Sequence, residues 1–143
     1  MKNLIFLLVL FVFTISISAQ KVNVPANVKD AFAKLYPNIK SVKWNMENKF
    51  EYEAEFKDNG RSTSVNIDKA GKLIETEVDI TKSELPKSVE EYIQKNYKDW
   101  QVTETSTVTN TKGVLTHEVG IKKGKSGKDL VFDKSGNFVK NEK

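Results

Sequence analysis

A chain of 143 residues with no cysteine cannot form disulfides, so a folded domain of this size must be held together by its core alone. Lysine and arginine number 23 against 19 for aspartate and glutamate, and the net charge of +4 is too small and too dispersed to support nucleic-acid binding. With a single histidine, the composition also argues against a zinc site, and we expect no metal and no cofactor.

Residues 1–19 are predicted to be a secretory signal peptide. Lys2 gives a positive start, residues 4–13 form a continuous apolar run, and small residues lead to Ala19. The run is shorter than the roughly 20 apolar residues that a membrane-spanning helix needs. We therefore expect cleavage after Ala19, no transmembrane segment after cleavage, and a mature domain of residues 20–143 that is periplasmic or secreted.

The first half of this mature chain predicts one helix and four strands. Apolar residues at helical spacing follow Val24-Pro25, where proline suits a helix start, and Pro37 ends the helix. Beyond Pro37, apolar and polar residues alternate, which is typical of strands with one covered face and one wet face. The predicted strands, separated by glycine-containing turns, are 42–46, 50–57, 63–67 and 73–78.

The second half repeats this order of elements. Leu85-Pro86 opens a second helix, in which Ile93 stands 61 residues after Phe32. Strand and turn positions then match at an offset of 65, so that Asp133-Lys134-Ser135-Gly136 corresponds to Asp68-Lys69-Ala70-Gly71. Such a repeat of core and turn positions is expected when the fold itself is duplicated.

The repeat predicts an α+β fold. We expect a tandem repeat of a helix plus a four-stranded antiparallel meander, with pseudo-repeats at 24–80 and 85–143 and a short linker at 81–84. A single unit of about 60 residues buries too little apolar surface to be stable alone, so the two units should share a core or a sheet. We expect both helices to pack on one face of the sheet and to leave a polar face open.

The pattern resembles the beta-lactamase-inhibitor-like, PepSY-like domains of exported bacterial proteins. The resemblance covers the mature chain and lies in Val24-Pro25, Phe32, Tyr36-Pro37, Val42 to Trp44, Phe50 to Phe56 and Asp68 to Leu73. It implies a non-enzymatic periplasmic or secreted binding protein, such as an inhibitor of a peptidase or another enzyme. Because fold alone does not determine function, it does not imply inhibition of a beta-lactamase.

Three glutamates on one predicted strand form the first candidate site. Glu51, Glu53 and Glu55 share a face at intervals of about 6.6–6.8 Å, where they could contact a basic partner or hold a hard cation. The alternative is a solvated strand face with lysines as cross-strand partners, because calcium needs six to eight converging oxygens and alternating strand positions diverge. Lys43, on the preceding strand, belongs to the same predicted polar face.

A run of threonines is the second half's counterpart of this polar face. Thr103, Thr105, Thr107 and Thr109 alternate along one predicted strand. We expect them to correspond to Lys43, Asn45 and the glutamates, and we include Thr103, Thr105 and Thr107 among the candidate partner-binding residues.

A lysine-rich segment at 120–126 is similar to a phosphate-binding loop. It has three residues between its glycines where that motif needs four, and the alignment places it at the hairpin of residues 58–60. We therefore predict an exposed basic hairpin in which Lys122, Lys123 and Lys125 attract an anionic surface or partner. The alternative is an ordinary solvated turn whose lysines discourage edge-to-edge aggregation.

The remaining candidates are single residues that we expect to be structural. His117 is predicted to lie on the inner face of its strand, with no nucleophile visibly paired with it, so the sequence gives no support for a hydrolytic triad. Trp44 and Trp100 are predicted to pack in the core, and either would become a candidate hot spot for binding if it were exposed.

These patterns together indicate a non-enzymatic exported binding protein. It would use its open polar sheet face for protein–protein interaction or enzyme inhibition, and its partner would be another exported or periplasmic protein. The alternative is a small-ligand or cation-binding periplasmic sensor built on Glu51, Glu53 and Glu55. An enzyme of unrecognised type is the third hypothesis.

Overall fold

A computed structural model describes residues 22–142, so the predicted signal peptide at residues 1–19 lies outside the described residues. The elements in chain order are α1 (Ala26–Leu35), β1 (Lys43–Asn48), β2 (Glu51–Asp58), β3 (Arg61–Asp68), β4 (Leu73–Asp79), a 3₁₀ turn (Lys82–Glu84), α2 (Lys87–Asn96), β5 (Gln101–Asn110), β6 (Leu115–Lys123), β7 (Ser126–Asp133) and β8 (Phe138–Glu142).

Each helix begins directly after a proline and buries two residues one turn apart. In α1, which follows Pro25, these residues are Val28 and Phe32, and in α2 they are Val89 and Ile93. Proline is favoured at a helix start because its missing N–H would have no intrahelical partner there. Fully burying one such side chain contributes about 1.5–3 kcal/mol, so these short helices are stabilised mainly by packing on the sheet.

The eight strands form one antiparallel sheet in which every strand lies beside its neighbour in the chain, from β1 to β8. The β2–β3 hairpin turns through Asn59 and Gly60, whose φ values of 47° and 84° fit the type I′ geometry that Asn-Gly favours. Two helices and an eight-stranded antiparallel sheet confirm the predicted α+β class.

Both helices lie on the same face of the sheet. Directly paired residues of neighbouring strands share a face, and one row of such pairs runs from Phe56 through Thr63, Val78, Thr107 and His117 to Phe132. Phe56 belongs to the apolar cluster beneath α1, and Phe132 belongs to the cluster beneath α2. We call this the helix face, and the opposite side the open face.

The two tryptophans pack at the margins of these clusters, as expected from the sequence. Trp44 is partly buried, with its ring centroid 5.5 Å from that of Phe32 in an edge-to-face arrangement. Trp100 is partly buried against the cluster of α2 and meets the ring of Tyr97 at 5.7 Å. Edge-to-face pairs at these distances add to stability beyond the area that they bury.

The prediction for the threonine strand is wrong about its face. Thr105 pairs with Val119 and Thr107 pairs with His117, so both lie on the helix face rather than with Lys43 and the glutamates. The physical reason is a β-bulge at Thr103, because one extra residue in a strand exchanges the faces of every residue beyond it. Thr105 is buried there, and its Oγ1 donates a 2.6 Å hydrogen bond to the carbonyl oxygen of Ile80.

The open face is curved inward. Ser106, Val108 and Val131 point to this face, where neither helix packs, yet they are only 2%, 7% and 4% exposed. A flat sheet would leave such residues accessible, so their burial reflects the twist and curl that large antiparallel sheets acquire. The centre of the sheet is therefore the floor of a concave surface.

The linker between the halves is anchored to the first half. Arg61, at the start of β3, donates a 2.8 Å hydrogen bond to Glu84 Oε1, while the backbone N–H of Thr81 donates to Glu84 Oε2 at 2.8 Å. These bonds hold the pKa of Glu84 at about 2, and the bond from Arg61 is the largest cause.

Candidate functional site

Two depressions meet at the centre of the open face. One has a volume of about 880 Å³, is bounded at one end by the loop of residues 38–41, and also reaches Phe56 and Thr63 of the helix face. The other has a volume of about 350 Å³ and reaches Lys140 on β8. Glu53 and Glu77 line both depressions, so they form one continuous concavity, which we call the trough.

The predicted acidic stripe lies on the open face at the β1 end of the trough. Glu55 makes an ion pair with Lys43, with 2.9 Å between Oε2 and Nζ. Asn45 donates to Glu53 Oε2 at 3.0 Å and also to Glu55, and Asn48 donates to Glu51 Oε2 at 2.9 Å. The side chains of β1 therefore engage all three glutamates across the strand pair.

The three glutamates are not arranged to hold a cation by themselves. Among residues 22–142, no group of three or more His, Asp or Glu side chains is arranged to hold a metal ion. Alternating positions lie about 6.6–6.8 Å apart along the strand, and Asn45 Nδ2 lies between the carboxylates of Glu53 and Glu55, whereas a hard cation needs six to eight oxygens that converge on one point.

The centre of the trough concentrates negative charge that the sequence reasoning missed. Burial raises the pKa of Glu77, and the nearby carboxylates of Glu104, Asp79 and Glu53 raise it further, while a hydrogen bond from Ser106 acts in the opposite direction. Burial likewise raises the pKa of Glu47, with Glu53, Glu75 and Glu51 as the neighbouring charges. The sequence signal was the alternation of Glu75, Glu77 and Asp79 along β4, but it does not reveal which strands lie opposite.

Asn66, on β3, is a second trough residue that the sequence did not single out. It pairs with Glu53 on one side and with Glu75 on the other, and its Nδ2 donates to Glu75 Oε1 at 3.0 Å. Its Oδ1 is buried and has no hydrogen-bond partner among residues 22–142. A buried acceptor without a donor is uncommon and costs about 1–3 kcal/mol.

The predicted lysine hairpin lies apart from the trough. Lys122 and Lys123 end β6 and Lys125 lies in the exposed β6–β7 turn, where Lys123 Nζ is 3.3 Å from Asp99 Oδ2. None of the three lysines lines the two depressions, and neither does Thr105 or Thr107. The structure thus separates the predicted binding residues into the acidic stripe, the threonines of the helix face and the lysine hairpin.

His117 lies on the helix face, as predicted, and is 8% exposed between Thr107 and Phe132. Its Nδ1 has no hydrogen-bond partner among the described residues. The residues paired with it carry no carboxylate and no nucleophile apart from a threonine hydroxyl, so its surroundings resemble those of a packed histidine.

Comparison with known proteins identifies the family. The model of a family described as beta-lactamase-inhibitor-like and PepSY-like matches residues 14–75 and 50–140. The two matches share residues 50–75, so they do not divide the chain at the boundary predicted near the linker. No curated protein matches the chain.

Solved structures from Bacteroides share the fold. A protein of Bacteroides eggerthii that is described as periplasmic has a TM-score of 0.74 at 21% identity, covering 85% of this chain and 89% of that one. A DUF2874 family protein of Bacteroides uniformis has a TM-score of 0.72 at 24% identity, with coverages of 82% and 88%. A BLIP-like protein of Bacteroides fragilis has a TM-score of 0.66 at 23% identity, with coverages of 85% and 86%.

The Bacteroides eggerthii protein is described as periplasmic, which agrees with the periplasmic or secreted location predicted for this chain. Within residues 22–142, no helix is long and apolar enough to cross a membrane.

Proposed function

Because the chain belongs to the beta-lactamase-inhibitor-like, PepSY-like family, we propose that it is a non-enzymatic, periplasmic or secreted protein that binds another exported protein through its open sheet face. The family is inhibitor-like, and the solved relatives of this fold include a BLIP-like protein. Neither the family nor these relatives supply a catalytic mechanism that the residues of this chain could be matched to.

The observation that carries this proposal is the asymmetry of the sheet. Its helix face is covered by α1 and α2, whereas its open face forms a trough that no helix fills. Protein–protein recognition requires a surface of complementary shape with satisfied polar groups at its rim. A curved sheet face supported by a packed core offers such a surface and stays rigid when the partner binds.

The lysine hairpin and the acidic stripe have different roles in this proposal. Glu53 and Glu55 line the trough, so they would contact the partner directly, whereas Glu51, bonded to Asn48, lies outside its lining. Lys122, Lys123 and Lys125 stand apart from it and would affect association mainly by long-range electrostatics. Of the threonines, only Thr103 is close to the open face, since Thr105 and Thr107 face the helices.

The helix-plus-meander repeat fits the same proposal. We infer that residues 24–80 and 85–143 arose by duplication, because each contains one helix followed by four strands in the same order. Joining two such units doubles the width of the sheet, and a wider sheet supplies both the area and the curvature of the trough.

Site-specific photo-cross-linking tests the binding face. A photoreactive residue at Ser64, which lines the trough opposite Glu77, is compared with one at Gln94, an exposed position on α2. We expect a discrete adduct from position 64 in the cells that produce the protein, identified by mass spectrometry, and none from position 94. Equal labelling from both positions, or none from position 64 across growth conditions, would refute the use of the open face.

A further inference from the structure

The trough has the opposite charge to the protein that contains it. The chain carries a net charge of +4. Eight acidic residues but only four basic residues line the two depressions, which makes the lining −4. A concave surface of one sign, with low-dielectric walls, focuses the field and attracts the complementary charge.

Cations of the protein itself balance only the ends of the trough. At the β1 end, Lys43 pairs with Glu55, and Lys140 lines the β8 end. At the centre, Glu77 faces Glu53 on β2 and Glu104 on β5, together with Asp79 on its own strand. The partner directly across from Glu77 on β3 is the neutral Ser64, and the one on β5 is Val108. The residues paired directly with Glu77 therefore carry no positive charge, and the lysine in its row of paired residues, Lys43 on β1, is engaged by Glu55.

A second observation at the same place concerns hydrogen bonding rather than charge. Asn66 lies between Glu53 and Glu75 in the pairing of β2, β3 and β4. Its Nδ2 donates to Glu75, and its Oδ1, shielded from solvent and without a donor among residues 22–142, becomes available to a partner only if the side chain turns toward the trough that it lines. A group that donates several hydrogen bonds and is positively charged would complement both features, whereas a neutral donor could pair only with Oδ1 and an anionic acceptor with neither.

We propose that the trough takes a cationic segment of the partner, whose arginine or lysine head group binds between Glu53, Glu77 and Asn66. This inference rests on the proposed function and names the chemistry of the partner. Guanidinium is the better match, because its planar fork presents five donors and keeps its charge in partly buried surroundings. The pKa values of Glu47 and Glu77 are raised in the free protein, as expected for crowded carboxylates that no cation neutralises.

Fluorescence anisotropy with a labelled tetra-arginine peptide tests this inference on the protein lacking residues 1–19. Tetra-citrulline, which has nearly the same shape without charge, is the matched control peptide. We expect tetra-arginine to bind and tetra-citrulline not to bind. The affinity should fall as salt is raised, because screening weakens every partly exposed charge pair.

Three variants separate recognition from general charge attraction. Glu77→Gln should weaken tetra-arginine binding about tenfold, since a hydrogen bond to a charged group is replaced by one to a neutral group. Glu90→Gln, on the exposed side of α2, makes the same change in net charge away from the trough and should change affinity by less than about twofold. Asn66→Leu keeps the net charge and should still weaken binding severalfold, with Asn66→Ser as the substitute if the leucine variant does not fold.

Each result has a defined meaning. Equal weakening by Glu77→Gln and Glu90→Gln, or unchanged binding by the folded Asn66 variant, would show general attraction and overturn the inference. No binding of tetra-arginine would also overturn it, while an adduct from Ser64 in the cross-linking experiment would leave the proposed function intact. Absence of that adduct would instead remove the proposed function, whatever the peptide does.

Discussion

The close contact between the β7–β8 turn and α2 leads to a prediction about glycine. Gly136 and Gly60 both have strongly positive φ, 82° and 84°, so alanine is strained at either position. An added Cβ at Gly60 would meet nothing within 4 Å. At Gly136 it would stand 2.1 Å from Ser88 Oγ, 2.9 Å from Pro86 Cβ and 3.2 Å from Val89 Cγ2. The two alanine variants therefore differ only in the packing of the turn against α2.

The size of each effect can be estimated separately. An alanine with positive φ raises the free energy of the folded state by about 1–2 kcal/mol. The same change restricts the unfolded chain, which offsets about 0.4–1 kcal/mol of this cost, so Gly60→Ala should destabilise by about 1 kcal/mol. In Gly136→Ala, Ser88 must turn away and lose its 3.1 Å hydrogen bond to the carbonyl of Ser135, about 1 kcal/mol more. Overpacking against Pro86 and Val89 adds about 1–3 kcal/mol. The total for Gly136→Ala is about 3–5 kcal/mol.

Thermal unfolding followed by circular dichroism measures the difference. For a domain of this size each kcal/mol lowers Tm by about 4 °C, so Gly60→Ala should lose about 4 °C and Gly136→Ala about 12–20 °C. Gly71→Ala should fall between them, because its Cβ would lie 3.1 Å from the carbonyl oxygen of Asn27 and 3.6 Å from Ala31 Cβ. If the variants at 60 and 136 melt within about 2 °C of each other, the turn does not pack on α2 as described here.

Three further predictions follow from single residues. Phe32→Ala should destabilise by about 3–5 kcal/mol in chemical denaturation, because Phe32 is buried among the aromatic rings of its cluster, and a loss below about 0.5 kcal/mol would contradict that placement. Glu77→Gln should raise Tm at neutral pH, because a carboxyl whose pKa is raised in the folded state destabilises that state when it is ionised. The gain in Tm should shrink as pH falls and Glu77 becomes protonated. A gain that does not change with pH would exclude this cause. Ionisation of Glu84 has the opposite effect on stability: its lowered pKa stabilises the fold above about pH 4.5, and this contribution is lost as pH falls toward about 2. The acid unfolding curves of wild type and Glu84→Gln should therefore converge near that pH.

Periodicity was enough to predict the elements of this fold. The helix expected between Pro25 and Pro37 is α1, at Ala26–Leu35, and the strand expected at 50–57 is β2, at Glu51–Asp58. Both follow from local constraints, namely the missing N–H of proline and the two-residue alternation of a strand. For β2 and β3 the covered face also followed, since the buried residues of these strands alternate with polar ones.

The face of β5 could not be read from the sequence. Threonine recurs at every second position from Thr103 to Thr109, and only the register against β6 reveals that Thr103 is an extra residue. The trough was missed for a similar reason. Glu77 and Glu104 are separated by a whole helix in the chain and approach only because β4 and β5 pair. Local patterns describe single strands, while charge clusters depend on which strands are neighbours.

The chain-order arrangement of the sheet has a consequence for how the protein acquires its structure. Every ladder from β1 to β8 joins strands that are adjacent in the chain. Only the connection between β4 and β5 is long, because it contains α2. Loop closure is therefore inexpensive in entropy, and folding rates rise as contacts become more local. A chain without cysteine also has no disulfide step to slow it. After export this protein should reach its native state quickly for a β-rich domain, by adding hairpins one after another to a growing sheet.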